Sequence, residues 1–552
     1  MGKHSSQDAT ARALPKLCGA DIELGNFIAG TDRAGGTGHE ASRALLAEIK
    51  GLPIRQSSFQ DSWWSSASAA PRTNVKSLTG ACATATDWGY DPQDVSRRFL
   101  ASNGASAYID LNHAELCLPE TISAFDHVAA WHGMLRIMRG ALDRSNEGRQ
   151  RDRRIQVLIN NTDGLGNSYG SHTNYLISKR TFNNIFQQKP HYLQFLASFQ
   201  VSNILLTGQG KVGSENGRPS TPYQISQRAD FFETLQGVQT TYNRPIVNAR
   251  DESLCGWNRA ESPMAPARLH VIFFDSALAH GSCLFRVGPM QLILTLLELG
   301  LVNPRLILDD PLAALQKYSH DPTMKASAEL ISGEQLTALE LQCEYLDEVR
   351  RHAAEGIFHG IVPRFEEIIA LWEDTLNKFT RRDTLALAPR LDWVQKLMAI
   401  ERAMDDNPGL DWDSPEVKMI DHLYSSLDDD GLYRAYEASG FTEQLVTSEH
   451  IDHFTANPPT DTRAWTRAML LRRALSDNVE VESVDWDRIA FKIRGRHTWP
   501  TYRTLDMANP LGFTQDIAEP IFDSCSDFGD LLDGLESLSA GIAVPANAIA
   551  VH

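Results

Sequence analysis

Short segments in which apolar residues alternate with polar ones mark the first half of the chain. In the segment from Gly19 to Gly25, Asp21 and Glu23 are two positions apart, so in a strand both side chains project to one face. Strand-like segments at 105–110, 155–159 and 269–274 are interleaved with helical patterns. The mixture predicts an α+β fold with a sheet at its centre. From about 321 to 404 the texture turns helical. Ser332 with Gln335 gives a capping-box signature, and Leu336, Leu339, Cys343 and Leu346 then recur on one face of a packing helix. Residues from about 30 to 87, rich in Gly, Ser, Ala and Thr around Trp63 and Trp64, read as a long insertion. After Asn457-Pro458-Pro459 a new segment begins, with a helix near 462–475 and a strand near 489–493. The expected division is a flexible tail at 1–18, a large domain at 19–455 carrying the insertion at about 30–87, and a small C-terminal domain at 456–552.

Composition changes this picture little but excludes several classes. The 552 residues are 42% hydrophobic and 22% charged, as in globular proteins. A formal charge of −18 repels phosphate backbones, so nucleic acid is not an expected partner. Seven scattered cysteines include no CxxC pair, so neither a disulfide framework nor a thiolate zinc site is expected, and a cytoplasmic setting is the simpler reading. The apolar runs are short for a bilayer span, so no membrane partner is expected. The run Arg149, Arg151, Arg153, Arg154 reads as a solvated connection, and Asp428 to Asp430 before Gly431 as a turn.

Chemistry is concentrated in acids at strand spacing. Tyr108 and Asp110 repeat the two-residue interval of Asp21 and Glu23, with Glu115 and Glu120 close behind, and His270 sits inside an apolar strand. Carboxylates gathered on one sheet face are costly unless cations neutralise them, and oxygen ligands favour Mg²⁺. Each acid alone also fits an ordinary solvent-facing strand position. Gly208-Gln-Gly210-Lys-Val-Gly213 fits GxGxxG, but Ser-Glu-Asn-Gly-Arg-Pro follows and cannot open the helix a pyrophosphate needs. It reads instead as a flexible loop near a substrate.

Read in order, GADIELG from Gly19, NGASAYIDLNHAEL from Asn103 and NNTDGLGNSYGSHTNYL from Asn160 resemble one family. It is the family of the Pup ligase (PafA) and the Pup deamidase/depupylase (Dop). TGQGKVG, SQRAD around Arg228, RPIVNARDE containing Arg250, RLHVI around His270, NPPTDTRAW and VDWDRI around Trp486 continue the series. The resemblance implies a glutamine-synthetase-like catalytic domain, a curved antiparallel sheet forming a cradle packed with helices, and a small C-terminal domain. It implies ATP and Mg²⁺ as cofactors, with Pup or a Pup-like disordered tag and its conjugates as partners. Position by position, it implies Asp110 as the catalytic base or nucleophile. It places Asp21, Glu23, Tyr108, Glu115, His172 and His270 in the metal cradle, and Trp486, Arg228 and Arg250 at the nucleotide or carboxylate.

The long interval from Glu23 to Asp110 resembles the depupylases, which carry an extra loop there, and favours hydrolysis of a C-terminal Gln/Glu side-chain amide or isopeptide. The alternatives are a ligase joining a glutamyl carboxylate to an amine of a protein or small molecule, and a nucleotide-binding regulatory relative without turnover. The sequence departs from the family's pattern at Asp21, Ser106, Leu118, Thr173 and Leu254. Those changes are expected to cluster at the cradle.

Overall fold

The structure, a computed structural model, describes residues 13–31, 36–53, 97–250, 262–493 and 501–541. Most of the expected insertion, including Trp63 and Trp64, and position Leu254 lie outside the described residues, as do the first twelve residues. A seven-stranded sheet organises the rest. Its strands are β1 (Cys18–Glu23), β3 (Leu52–Pro53), β4 (Arg98–Phe99), β5 (Ser106–Asp110), β6 (His113–Cys117), β8 (Ser171–Ser178) and β9 (Pro266–Val271). Their order across the sheet is β9-β8-β1-β6-β5-β4-β3, every pair antiparallel. A separate pair, β2 (Gly25–Ile28) with β7 (Ile155–Leu158), flanks it. The expected α+β class with a large antiparallel sheet is what the structure shows.

Alternation along β1 decides which side is core. Cys18, Ala20 and Ile22 are at most 1% exposed, whereas Gly19, Asp21 and Glu23 look the other way, into a cavity. The core face is covered by helices, among them α1 (Gly38–Glu48), α2 (Ala124–Asn146), α3 (Pro190–Thr207) and α4 (His280–Leu299). Among the described residues α4 is the one helix long and apolar enough to cross a membrane, but its residues from His280 to Glu298 are buried in this core. Glu298, near its end, takes hydrogen bonds from the Leu14 and Ser178 backbone amides and from the buried Lys16 ammonium. The expected tail is thus docked from Ala13 onward. A buried carboxylate needs an opposite charge and donors, and Lys16 supplies the charge.

Local chemistry moves two expected features. The helical stretch begins at α5 (Ala338–Ala353), where Thr337 and Glu340 form the capping box; Ser332 and Gln335 lie instead in a small hairpin. Leu346 is buried and Leu339 and Cys343 pack against the core from α5, as their spacing predicts, whereas Leu336 packs there from the hairpin strand that precedes the cap. The Gly208–Gly213 stretch is no flexible loop: Gln209 is fully buried and its amide donates to Asp275, while Lys211–Val212 pairs with Tyr223–Gln224. A Cβ at Gly210, where φ is +78°, would lie 1.8 Å from the Tyr223 hydroxyl, so close packing demands glycine there.

Beyond Ala456, α6 (Arg463–Ser476) and the three-stranded sheet of Glu480–Val484, Arg488–Ile493 and Thr501–Asp506 build a second apolar cluster around Leu470, Leu471, Ile489 and Leu531. Phe99 of the large sheet joins that cluster. The two parts are joined by Glu120, which accepts from Arg463 Nε at 2.8 Å and Arg467 Nη2 at 2.5 Å. Arg467 also donates to the Gly104 carbonyl, and Thr462 to that of Glu120. Burial opposes ionisation of Glu120, but the two guanidiniums more than offset it and hold the carboxyl at about 2, below its ordinary 4.5. Because the folded value is depressed, this stabilisation is present above about pH 4.5 and is lost as pH falls towards 2. Glu120→Gln is expected to cost about 3–5 kcal/mol by leaving two buried cations without their partner. Urea unfolding followed by tryptophan emission should show the loss at pH 7 and little difference between variant and parent at pH 2.

A carboxylate cradle in the central cavity

The register of β1, β6, β5 and β8 assembles the site. Glu23 lies opposite Glu115 and Asp21 opposite Cys117 across β1 and β6. Tyr108 lies opposite Glu115 across β5 and β6, and His172 opposite Asp21 across β8 and β1. All of them face a cavity of about 1060 Å³. Carboxylate oxygens of Glu23, Asp110 and Glu115 lie within 4.8 Å of one another, and so do those of Asp21 and Glu115 with the Cys117 sulfur.

Each side chain is held by neighbours. Tyr108 Oη donates to Glu115 Oε1 at 2.7 Å, and the Gly170 amide donates to Glu23 Oε2 at 2.8 Å. A Cβ on Gly170 would come 2.2 Å from His172 and 2.8 Å from Glu23, so only glycine lets the backbone reach the carboxylate. Asp110 ends β5, and the hairpin turns at once through Leu111, whose φ of +51° is a strained conformation for leucine. His270 Nδ1 lies 2.8 Å from Asn174 Oδ1, which also accepts from Arg268, so the histidine proton is on Nδ1 and the Nε2 lone pair has no partner among the described residues.

The electrostatics follow from crowding without water. Burial, then the Asp110 charge, pushes Glu23 up to about 7. Burial and the Asp110, Glu23 and Asp21 charges hold Glu115 well above the carboxylate range, and burial raises Asp21 despite Arg268. Burial also raises the Cys117 thiol and the Tyr108 hydroxyl. Burial and surrounding arginines depress His172 and His270, so both rings are neutral. Neutral imidazoles and crowded oxygens are the donor set of a divalent-cation site.

The cavity wall continues into basic and aromatic side chains. Arg97 stacks over Tyr108 at 4.7 Å and lies 4.0 Å from Asp485. Trp486, from the C-terminal part, lines the cavity, packed edge-on against Phe99 and covered by the Arg467 guanidinium. Arg244, Arg250 and Arg268 also line it. Arg228 does not: it is 1% exposed, near Phe232, and burial lowers it to about 9. Its charge acts on the cradle from behind the wall, through Glu23 and His172. The departures do not all cluster at the site. Leu118 lines the cavity and Ser106 shares the strand face of Tyr108, but Thr173 projects to the helix-covered side of β8. Cys117, Arg97, Arg244 and Arg268 are the wall residues that sequence reasoning missed.

Residues 16–490 match the family described as Pup-ligase protein. A Pup deamidase/depupylase of Mycolicibacterium smegmatis is 35% identical over 398 residues, covering 72% of this chain and 76% of that protein. A Pup–protein ligase of Xylanimonas cellulosilytica is 32% identical over 421 residues, covering 73% and 86%. Among solved structures, the complex of the prokaryotic ubiquitin-like protein Pup with its ligase PafA aligns with a TM-score of 0.72 at 21% identity, over 97% of each chain. The Pup ligase PafA in complex with ADP aligns with a TM-score of 0.66 at 24% identity, over 82% and 92%. These two likenesses carry the fold.

A divalent cation held between Glu23 and Glu115 would have to displace the proton that burial favours on Glu23. Affinity for Mn²⁺ as a probe ion, measured by electron paramagnetic resonance titration, is therefore expected to rise between pH 6 and 8 and to fall below about 7. Glu23→Gln should remove the part of that dependence centred near 7 and leave the part set by Glu115.

Proposed function

The chain belongs to the Pup-ligase protein family, and from that premise we propose that it is a Mg²⁺- and ATP-dependent hydrolase. Its substrate in this reading is the side-chain amide or isopeptide at the C-terminal Gln or Glu of Pup or a Pup-like tag. The carrying observation is the convergence of Glu23, Asp110 and Glu115 within 4.8 Å at the floor of an open, arginine-lined cavity. The long interval from Glu23 to Asp110 and the likeness to a deamidase/depupylase support hydrolysis over ligation.

The residues present fit the cofactors. Asp21, Glu23 and Glu115, with the Nε2 lone pair of His270, are the groups that would hold Mg²⁺; Trp486, Arg97 and Arg250 would flank a nucleotide. When bound, magnesium and ATP supply positive charge for the crowded carboxylates and a phosphate beside the scissile amide. Tyr108 fixes one oxygen of Glu115 by its hydrogen bond, and the Gly170 amide fixes one of Glu23. Both acids are thereby pre-oriented and need not reorganise during reaction. Asp110, at the strand end, is the group positioned to attack the carbonyl or to take a proton from water. Arg250 and Arg268 present planar forks suited to the carboxylate of the tag's terminus.

The likeness to a Pup–protein ligase supports a second reading, in which a glutamyl carboxylate is joined to an amine. One assay separates the two. Purified protein with Mg²⁺, ATP and Pup ending in Gln is expected to release ammonia, and a Pup conjugate to release free protein. Asp110→Asn should reduce both by about a hundredfold or more. New conjugate with one ADP per bond would establish the ligase instead, and ATP binding without either product would establish the non-catalytic relative.

A further inference from the structure

We propose that the cavity contains two chemically unequal cation positions, and that the one bounded by Asp21, Glu115 and Cys117 takes a borderline divalent ion such as Zn²⁺ or Co²⁺ through the Cys117 sulfur. The inference rests on the metal-cradle reading above and concerns which ion this chain's own residues select.

The sheet lays two rows of polar side chains side by side. One row runs Glu23, Glu115, Tyr108 across β1, β6 and β5, and offers only oxygen. The neighbouring row runs His172, Asp21, Cys117, Ser106 across β8, β1, β6 and β5, and offers nitrogen, oxygen and sulfur. Glu115 belongs to both donor sets: its oxygens lie within 4.8 Å of Glu23 and Asp110 on one side, and of Asp21 and Cys117 on the other. Two positions sharing one carboxylate is the arrangement of paired-ion sites, in which a bridging ligand holds both cations.

Cys117 is placed for coordination. Its strand neighbour Leu116 goes to the core, while Cys117 lines the cavity beside the carboxylates. Its sulfur meets the Asp21 carboxylate and the Tyr108 hydroxyl, so it sits among polar groups and not in the apolar core. Thiolate with carboxylate and imidazole favours Zn²⁺ and Co²⁺ over Mg²⁺, which prefers all-oxygen shells.

A second observation points to a missing ligand in the same row. Ser106 is fully buried, faces Cys117 directly across β5 and β6, and its Oγ has no hydrogen-bond partner among the described residues. A buried hydroxyl left unpaired is expensive, and an ion or ion-bound water in the row would satisfy it. On the other side of the row His270, 4% exposed and lining the cavity, keeps its Nε2 unpartnered and meets His172 edge-on at 5.0 Å.

The test loads the full-length protein, stripped with chelator, with Co²⁺ alone and then adds Mg²⁺ in excess. The expected result is a thiolate-to-cobalt charge-transfer band that persists in Mg²⁺, is bleached by Zn²⁺, and is absent from Cys117→Ala and Cys117→Ser. Ser106→Ala should weaken Co²⁺ binding on the order of tenfold while keeping the band. Circular dichroism and calorimetric Mg²⁺ titration of each variant check folding and the all-oxygen position. Bound Co²⁺ without the band, or a band that survives both Cys117 variants and so arises from another cysteine, overturns the proposal. Mg²⁺ binding without the band overturns this inference alone, whereas failure to bind either ion overturns the cradle reading as well.

Discussion

Like charges confined to one desolvated sheet face are the constraint on which this molecule turns. Two carboxylates at about 4.8 Å repel by roughly 3–4 kcal/mol at an effective dielectric of about 20, and Glu23, Asp110 and Glu115 form three such pairs. The protein resists that repulsion with the hydrogen-bonded register of its strands instead of flexible side chains. β1 and β6 place Glu23 and Glu115 directly opposite, β5 adds Tyr108, and the Gly170 amide and Tyr108 hydroxyl pin individual oxygens. Strain is therefore held by the sheet, and burial with the neighbouring charges favours protons on Glu23 and Glu115, which relieve it.

How much of this was readable from sequence depended on range. The two-residue intervals Asp21–Glu23 and Tyr108–Asp110 put their side chains on one strand face, and the strands formed where alternation placed them. No local rule says that Asp21 should face Cys117, or Cys117 face Ser106, because strand register across that distance is set by packing of Ala20, Ile22, Ala107 and Leu116 against the helices. Cys117 was counted only as a scattered thiol for that reason. Glu120 read as one more acid near the site; its partners Arg463 and Arg467 lie more than three hundred residues away.

The mistaken local readings have one physical cause. Ser332 and Gln335 satisfy the capping pattern, but Thr337 and Glu340 satisfy it too, and the hairpin pairing of Ser327–Glu329 with Gln335–Thr337 consumes the first candidate. The glycines of 208–213 look like mobility, yet Ile225 presses against Gly208 and Tyr223 and Trp393 against Gly210, while Gly213 serves a positive φ of +79°. Arg228 carries the family's arginine signature but lies behind the wall, so its influence on Glu23 is through field and not contact.

The attachment of α6 through Glu120 has a consequence for how such a pocket can diversify. The carboxylate floor belongs to one hydrophobic cluster and the indole of Trp486 packs against another, and the Glu120 rivet joins the two together with the Arg97–Asp485 pair and the packing of Trp486 on Phe99. Floor and wall therefore draw on different stretches of sequence. Exchanges along β1, β5 and β6 alter the acids and the thiol of the floor without changing the indole, and exchanges beyond Ala456 reshape the wall around Trp486 without changing those acids. One cavity can thus be altered from two separate parts of the chain.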